Sequence, residues 1–458
     1  MASPHIRRDL KRTLGDSRSR DRAKSAGNLL ESFAMTHLRL PAALVVVLAL
    51  TCDNTADEPT ARRLPKPLTV AESLVPYSGP TDKVVDTSTL YGKVMCGYQG
   101  WFMAREDGYG MGDVHWGGVN RTPPSCTVDF WPDLTKYDAD EKFPTNYKHA
   151  DGSTAYVFSS TVAKTVHRHF RWMREAGIDG VFLQRFGDYI KDQKGRNYQR
   201  ACAVLHHVRE GANRHGRAYA VMYDVDFDRP TVEAMKADWS RLMNEMQVTQ
   251  DPAYLRHRGQ PVISLWGYGF DHRKFDAQAA EDLFAFLKQP ENGGCTIMLG
   301  VPNDWVKWDG DKLRLLTTYA TVISPWTVGR YHDAESAKRH VDSHWPADLA
   351  FCKEHQKDYY AVAFPGFSWT NLTKGKGPLN QIPRQQGKFF WSQIEQIKRY
   401  DMNMVYVAMF DEVDEGTAIF KCTNNPPVGK FCTYEDLPSD FYLHLAGKAG
   451  PFLRDKSR

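Results

Sequence analysis

The sequence has almost no net charge outside its first 34 residues, and it lacks common signatures of nucleotide and metal binding. Residues 1–34 carry eight Arg and Lys against four Asp and Glu, whereas the rest of the chain carries 51 of each sign. This balance argues against nucleic-acid binding, which requires a basic surface. No Gly-x-Gly-x-x-Gly follows the first predicted strand, and the eight cysteines have no zinc-ligand spacing. We therefore expect no Rossmann nucleotide site, no metal and no organic cofactor.

The N-terminal 85 residues have the composition of targeting and connecting sequence. Residues 1–34 are polar and Arg/Ser-rich, which predicts a disordered extension or a misassigned start. Residues 35–52 resemble a signal peptide, because a basic start precedes the apolar run Pro41–Leu50, which is too short to span a bilayer. This predicts a secreted or periplasmic protein. Cys52 follows an imperfect lipoprotein pattern, so a lipid anchor there is an alternative. Residues 53–85 are predicted to be a linker.

Short apolar runs alternate with amphipathic stretches from residue 90 onward. The runs have strand length and are nearly continuous, as expected for parallel strands that are buried on both faces. The predicted strands are Val94–Tyr98, Gly180–Phe186, Ala218–Val225, Pro261–Gly267, Thr296–Pro302, Ala320–Trp326, Tyr360–Phe367 and Met404–Glu412.

Helical patterns fill most intervals between these strands, and Gly177 and Gly216 follow two of them at a helix-ending position. The predicted helices are Thr165–Ala176, Asn197–His215, Glu233–Met246, Asp276–Leu287, Ala334–Glu354 and Gly387–Tyr400. Eight such alternations predict an α/β fold: a single (β/α)8 barrel across residues 86–450, with a long first βα loop. An open doubly wound sheet is the alternative.

Polar and aromatic side chains gather where the predicted strands end. In α/β barrels the active site lies at the carboxyl ends of the strands. Aromatic rings that stack and fixed polar groups that bind hydroxyls are what a sugar cleft needs, although tryptophan also fills cores. We expect these candidates to bind substrate at one mouth: Tyr98, Trp101, Gln184, Arg185, Tyr223, Asp224, Trp266, Trp326, Arg330, Trp369 and Asn371.

Two glutamates, Glu412 and Glu415, end the last predicted strand three residues apart, and Asp411 and Asp414 flank them. Hydrolysis of a glycoside needs two carboxyl groups whose environments separate their pKa values. The spacing lets both glutamates face one pocket if the residues between them form a turn. We predict that they are the catalytic pair and that Asp411 contacts substrate; a solvated acidic loop is the alternative.

Residues 410–419, which read Phe-Asp-Glu-Val-Asp-Glu-Gly-Thr-Ala-Ile, resemble the segment of glycoside hydrolase family 99 that carries its catalytic pair. That segment reads roughly Phe-Asn-Glu-Trp-His-Glu-Gly-Thr-Gln-Ile. Other stretches resemble family motifs as well: residues 98–102 (Tyr-Gln-Gly-Trp-Phe), His115-Trp116, residues 177–180 (Gly-Ile-Asp-Gly) and residues 365–367 (Pro-Gly-Phe). From Leu90 to Gly447 the chain is also similar to bacterial proteins described as family 71/99-like, some of them labelled xylosidase or arabinosidase.

The resemblance implies a (β/α)8 endo-acting α-mannosidase or α-mannanase with a retaining mechanism. Glu412 would be the base that activates the 2-hydroxyl of the sugar, and Glu415 would protonate the leaving oxygen and later activate water. His115 and Trp116 would join the substrate contacts. Val413, Asp414 and Phe367 depart from the family residues Trp, His and Tyr, and the departures bear on specificity for mannose. The α-1,3-glucanases of family 71 offer another substrate analogy.

Other classes of function remain open at the level of sequence. A non-catalytic carbohydrate-binding barrel would keep the aromatic residues. A metal-dependent hydrolase would draw on Asp224, Asp226 and Asp228, which alternate as in a calcium loop, but Arg229-Pro230 stands where that loop needs its glycine. Cys422 and Cys432 bracket a Pro-rich loop and are a candidate disulfide, whereas the contexts of Cys96, Cys202, Cys295 and Cys352 predict free buried thiols.

Overall fold

The computed structural model describes residues 66–456, and within them the predicted (β/α)8 barrel is confirmed. Each predicted strand is present, most with a slightly earlier end. The barrel strands are β1 (Val94–Tyr98), β2 (Gly180–Phe186), β3 (Ala218–Asp224), β4 (Gln260–Trp266), β5 (Thr296–Val301), β6 (Val322–Pro325), β7 (Asp358–Tyr359 and Ala361–Ala363) and β8 (Val405–Val407).

Parallel pairing runs around the whole ring. β1 pairs with both β2 and β8, so the first and last strands meet. The two halves of β7 complete the circle, because Asp358–Tyr359 pairs with β6 and Ala361–Ala363 pairs with β8. Tyr360, between the halves, still donates its backbone N–H to Ile323 at 2.8 Å. A closed ring leaves no edge strand, and it brings every strand's carboxyl end to one mouth.

The helices form the outer layer. They are α1 (Ala163–Ala176), α2 (Arg196–His215), α3 (Arg229–Asn244), α4 (Ala277–Lys288), α5 (Gly310–Tyr319), α6 (Ala334–Glu354), α7 (Lys388–Arg399) and α8 (Phe441–Arg454), with short helices at Val70–Ser73 and Gly187–Ile190. The predicted glycines do end α1 and α2, in left-handed conformation with φ of +85° at Gly177 and +58° at Gly216. Among these residues, no helix is both long enough and apolar enough to cross a bilayer.

Aromatic side chains fill the barrel interior. Phe182 packs against Tyr360 and Tyr406 with ring centroids 6.1 and 5.8 Å apart. Gly97 leaves room for them, since a Cβ there would lie 2.1 Å from the Tyr406 hydroxyl. Because the strands are covered by these rings on one side and by helices on the other, their sequences read as unbroken apolar runs.

The first βα loop, residues 99–162, is long, as predicted. It contains two hairpins, Gly117–Gly118 with Ser125–Cys126 and Phe143–Lys148 with Thr154–Val157. The buried carboxylate of Asp129 fastens this loop to the loop after β7, since it accepts hydrogen bonds from the Thr370 and Asn371 backbone amides at 2.7 and 2.8 Å. The loop therefore forms a fixed wall beside the mouth.

Two expectations from the sequence need correction, and others lie outside the described residues. Residues 66–85, expected as linker, lie against the barrel: Leu74 is buried, and Asp82 bonds the backbone of Asn213 in α2 at 2.8 Å. A composition poor in regular structure does not preclude such packing. The predicted extension, signal peptide and Cys52 fall before residue 66.

The proposed Cys422–Cys432 disulfide is the second correction. Both cysteines are buried free thiols, and they lie beside different residues of the first loop, Pro132 and Phe130 respectively. The Cys432 thiol lies 3.6 Å from the Ser368 hydroxyl. Cysteines that bracket a loop in sequence thus need not converge in space. Cys96, Cys202, Cys295 and Cys352 are free and buried, as predicted.

Candidate functional site

The chain beyond β8 is fixed to the end of β1 by Asp411. Its carboxylate accepts hydrogen bonds from the backbone amides of Gln99 and Gly100 at 2.8 and 2.9 Å, and the residue is fully buried. Burial raises the pKa of Asp411 to about 7, against the opposing effect of the two amides. The expectation that Asp411 contacts substrate is corrected, because its oxygens anchor the backbone.

Residues 413–416 form the turn that the glutamate spacing requires. The carbonyl of Glu412 accepts hydrogen bonds from the backbone N–H groups of Thr417 and Ala418 at 3.1 and 3.0 Å. Gly416 has a φ of +65°, and a Cβ there would lie 2.7 Å from the backbone nitrogen of Ser368. Only glycine fits this position, so Gly416 allows the turn to bring both glutamates to the mouth.

Glu412 is held by two short hydrogen bonds. The Gln99 side-chain amide donates to its Oε1, and the Thr417 hydroxyl donates to its Oε2, each at 2.6 Å. Burial raises the pKa of Glu412 to about 8, with a further contribution from the charge of Asp414, whereas the two donors act in the opposite direction. The orientation of this carboxylate is thereby fixed.

Glu415 lies in the same acidic cluster without such support. No side chain among residues 66–456 donates a hydrogen bond to its carboxylate. The residue is nevertheless buried, with 7% of its surface exposed. Burial first, and then the charges of Glu412, Asp414 and Asp224, raise the pKa of Glu415 well above its usual range. Hydrogen bonds to a carboxylate favour its ionised form, so of the two glutamates Glu415 holds its proton more firmly.

The acidic turn also contacts a stacked pair in the first loop. Asp414, which is fully buried, lies 3.1 Å from Nδ1 of His115. The ring of His115 stacks on that of Trp101 with a centroid distance of 3.8 Å and an interplanar angle of 6°. Burial lowers the pKa of His115 and raises that of Asp414 to about 7. The position of Trp101 is therefore coupled to the acidic turn through His115.

The opposite wall of the mouth comes from β3, β4 and β6. Asp224 forms an ion pair with Arg273, whose guanidinium lies 5.1 Å from the centre of the Trp266 ring. Trp266 meets Trp326 edge to face at 5.6 Å. Gln184, half-buried at the end of β2, is in register with residues of β3 that face the same side. These four predicted contacts, Gln184, Asp224, Trp266 and Trp326, lie at the same end as the glutamates.

Three predicted contacts face the helix layer and need correction. The Tyr98 hydroxyl bonds Nδ1 of His169 in α1 at 2.8 Å, and the Tyr223 hydroxyl bonds Asp238 in α3 at 2.6 Å. Arg185 forms a fully buried ion pair with the same Asp238 at 2.6 Å. Because successive strand residues point to opposite faces, Gln184 and Asp224 face inward while their neighbours face outward.

Two further predicted substrate contacts instead form hydrogen bonds within and between the loops. Trp116 is fully buried and donates its indole N–H to the carbonyl of Phe158 at 2.9 Å. The Asn371 side-chain amide donates to two backbone carbonyls, those of Val128 and Lys430, at 2.8 Å each. Both expectations of substrate contact are corrected. Trp369 packs on Phe367 at 5.2 Å beyond β7, and Arg330 is half-buried beyond β6.

Several residues of the site were not among the predicted contacts. Gln99 and Thr417 hold Glu412, Tyr406 lies beneath the mouth, and Asp129 joins the loops. Gln99 and Thr417 belong to the motifs at residues 98–102 and 410–419. The position of Gln99 one residue after β1 could have identified it as a residue of the site. No local pattern marks Asp129, because its partners lie about 240 residues away.

Cations already neutralise the calcium-loop-like acids. Arg273 contacts Asp224 and lies 3.7 Å from Asp226, and Lys274 lies 3.1 Å from Asp228. These carboxylates, at the end of β3 and just after it, therefore form ion pairs with the loop that follows β4.

Comparison with known proteins reveals similarity in structure alone. No protein-family model matches the chain, and no curated protein matches its sequence. The barrel is similar to the GH99 endo-α-mannosidase from Bacteroides thetaiotaomicron, with a TM-score of 0.59 and 15% identity over 80% of this chain and 98% of that one. A structure described as a glycoside hydrolase-like protein matches with a TM-score of 0.50 and 12% identity, over 83% of this chain and 99% of that one. The fold is thus that of GH99-like barrels.

Proposed function

We propose that this protein is a glycoside hydrolase that cleaves an α-linked oligo- or polysaccharide, with Glu412 and Glu415 as its catalytic carboxylates. The observation that carries the proposal is the unequal hydrogen bonding of two buried glutamates at the carboxyl end of a barrel: Glu412 accepts two bonds, and Glu415 accepts none from the described side chains. Glycosidases need such a division between a base and an acid.

Unpartnered polar atoms around the mouth also support a hydroxyl-rich substrate. Oε1 of Gln99 and the indole nitrogens of Trp101 and Trp266 are buried without a hydrogen-bond partner among the described residues. Buried polar groups without partners are rare in folded proteins and call for an explanation. Hydroxyls of a bound sugar would provide such partners for all three.

The proposed reaction retains the anomeric configuration in two displacements. In the first, ionised Glu412 takes the proton of the 2-hydroxyl, O2 attacks the anomeric carbon to form a 1,2-anhydro sugar, and Glu415 gives its proton to the departing oxygen. In the second, Glu415 takes a proton from water, which attacks the anomeric carbon, and Glu412 returns its proton to O2. The resemblance of residues 410–419 to the catalytic segment of family 99 favours this route over a glycosyl-enzyme.

The choice of substrate sugar takes account of the residues at which this chain differs from the family 99 motif. Asp414 occupies the place of a family histidine and is bound to His115, and Val413 is fully buried. The walls near the reacting sugar thus differ from those the resemblance implies. We propose an α-linked glycan of mannose or glucose, and an exo-acting xylosidase or arabinosidase is the outcome that would redirect this assignment.

A substrate screen with matched variants tests the proposal. The wild-type protein and the variants Glu412→Gln, Glu415→Gln and Glu245→Gln would be incubated with α-mannans, α-glucans and arabinoxylans, and released reducing ends would be measured. We expect hydrolysis of an α-glycan by wild type and by Glu245→Gln, whose residue lies on α3's exposed end, and strong loss in the other two. Binding without cleavage by all four proteins would identify a carbohydrate-binding barrel instead.

Export is proposed from the sequence of residues 35–52. N-terminal sequencing of the protein from cell fractions would place the mature start near Cys52 in the extracytoplasmic fraction, and mass spectrometry would reveal whether Cys52 carries lipid. An intact Met1 in the cytosol would contradict the proposal.

A further inference from the structure

A cluster of metal-ligating side chains lies on helix α2, apart from the acidic mouth. His206, His207 and Glu210 each offer one ligand atom, and these atoms all lie within 4.8 Å of one another. Their spacing of three and four residues places both histidines beside the glutamate on one helix face. His167, on the neighbouring helix α1, brings its Nε2 to 3.3 Å from Oε2 of the same glutamate.

The distances between these ligand atoms are slightly longer than those around a single bound cation. Nε2 of His206 lies 3.8 Å from Oε1 of Glu210, and Nδ1 of His207 lies 3.9 Å from Oε2. Ligands bound to zinc at about 2.0–2.1 Å in tetrahedral geometry are roughly 3.4 Å apart. Small rotations of the side chains would close the remaining gap.

Two nitrogens in this cluster have no hydrogen-bond partner. Nδ1 of His207 and Nε2 of His167 are buried and unpartnered within the described structure, although both are directed at Glu210. His207 itself is only 6% exposed, so water does not readily replace the missing partner. Nδ1 of His206 lies 3.0 Å from the carbonyl of Ser73, an arrangement that leaves its Nε2 facing the glutamate. Metal-binding histidines typically have such a backbone partner on the second nitrogen.

We propose that His206, His207 and Glu210 bind one divalent cation of the zinc class, while His167 contacts the carboxylate of Glu210 from α1. Imidazole and carboxylate donors together suit Zn²⁺ and its neighbours in the transition series. The ion would be held by α2 and, through the contact of His206 with Ser73, would support the segment before the barrel. This departs from the sequence-based expectation of no metal, and it does not depend on the proposed glycosidase activity.

Arg214 competes with the proposed cation for the carboxylate of Glu210. Its guanidinium lies 3.6 Å from Oε1 of Glu210 and 3.5 Å from Nδ1 of His167, and half of its side chain is exposed. Binding of the cation requires Arg214 to rotate into solvent. Its removal should therefore tighten binding, an effect opposite in sign to the loss of a ligand.

The test titrates the full-length, chelator-treated protein with ZnCl₂ and measures stoichiometry by equilibrium dialysis and elemental analysis. We expect one Zn²⁺ per chain, at least a roughly 10- to 100-fold weaker affinity in His207→Gln and Glu210→Gln, and a tighter affinity in Arg214→Ala. Co²⁺ substitution would report the ligand geometry through its visible spectrum in the wild-type protein, so the test remains decisive if a variant fails to fold.

A pair of histidines on α6 provides the matched control. His340 and His344 stack at 4.2 Å on α6 with the same four-residue spacing but belong to no group of three ligands in the described chain. His344→Gln should keep the full stoichiometry. Wild-type affinity for Zn²⁺ in His207→Gln and Glu210→Gln would overturn the proposal, as would loss of the ion in His344→Gln or failure of the wild-type protein to bind.

Discussion

Gln99, one residue beyond β1, donates a hydrogen bond of 2.6 Å to Glu412, five residues beyond β8. The bond crosses the seam where the first and last strands of the barrel meet. It stabilises the ionised form of Glu412 against the burial that raises the pKa of this group to about 8. Glu415 receives no comparable donor from the described side chains, so we expect Glu412 to lose its proton first and Glu415 to serve as the proposed acid.

Removal of this donor should move the pH dependence of the reaction. In Gln99→Ala the ionised form of Glu412 loses a charge-assisted hydrogen bond, which contributes about 1.5–3 kcal/mol. Its pKa therefore rises, and the acidic limb of kcat/KM should shift upward by about one to two pH units. Thr417→Val removes the other donor and should produce a shift in the same direction. An acidic limb at the wild-type position in both variants would exclude Glu412 as the base.

The two glutamates should respond differently to the leaving group. Glu415→Gln removes the proton donor, so turnover should fall by roughly 10²–10⁴-fold on substrates with poor leaving groups and much less on aryl glycosides with acidic ones. Glu412→Gln should impair both kinds of substrate, because activation of the 2-hydroxyl is needed whatever departs. Steady-state kinetics on matched substrate pairs, with 2-deoxy analogues as non-substrates, would measure this. An equal loss on both substrates in Glu415→Gln would contradict its role as the acid.

The sequence predicts the barrel well because each strand carries its own local signal. Runs such as residues 180–183 and Thr296–Val301 are apolar on both faces, and glycines that follow helices occur where α1 and α2 end. What a run does not reveal is the direction of each side chain at the mouth. Gln184 and Arg185 are adjacent, and a shift of one residue exchanges the interior for the helix layer.

The loops limit the prediction further. Asn371 and Asp129 are paired across 242 residues, and their roles depend on how two loops meet. Trp116 has the residue type of a sugar platform, but its indole N–H is used within the first loop. Residues 410–419 are an exception, because one short segment contains the turn, Glu412 and its hydrogen-bond partner Thr417, so no contact between distant loops is needed.

Substitutions at Tyr98 and Trp266 should separate the helix layer from the mouth. Trp266→Ala removes a ring beside the predicted substrate path, and KM should rise by about 2- to 10-fold, in keeping with an aromatic contact of about 0.5–1.5 kcal/mol. Tyr98→Phe removes only the bond to His169, so unfolding should become easier by about 1–3 kcal/mol at unchanged KM. Kinetics and urea unfolding of both variants would test the assignment; a raised KM in Tyr98→Phe would return that residue to the mouth.

The buried acids of the turn should make stability depend on pH, and Asp414 is one of them. Burial raises its pKa to about 7 in the folded protein, so between about pH 4 and 7 the folded state binds a proton that the unfolded state has released. The stabilisation that this proton provides is complete at low pH and is lost as the pH rises through the folded pKa.

Asp414→Asn abolishes this titration, so the variant should gain stability relative to wild type as the pH rises from 5 to 7. The gain should amount to about 1–3 kcal/mol, given about 1.4 kcal/mol per pH unit for one proton, and it should level off above pH 7. Urea unfolding of both proteins at several pH values would measure the difference, from which the contributions of buried histidines shared by both chains largely cancel. Asp188→Asn, at a side chain 92% exposed, is the control and should follow wild type throughout. A difference between Asp414→Asn and wild type that stays constant across this range would show that Asp414 is ionised in the folded protein, bound to a protonated His115.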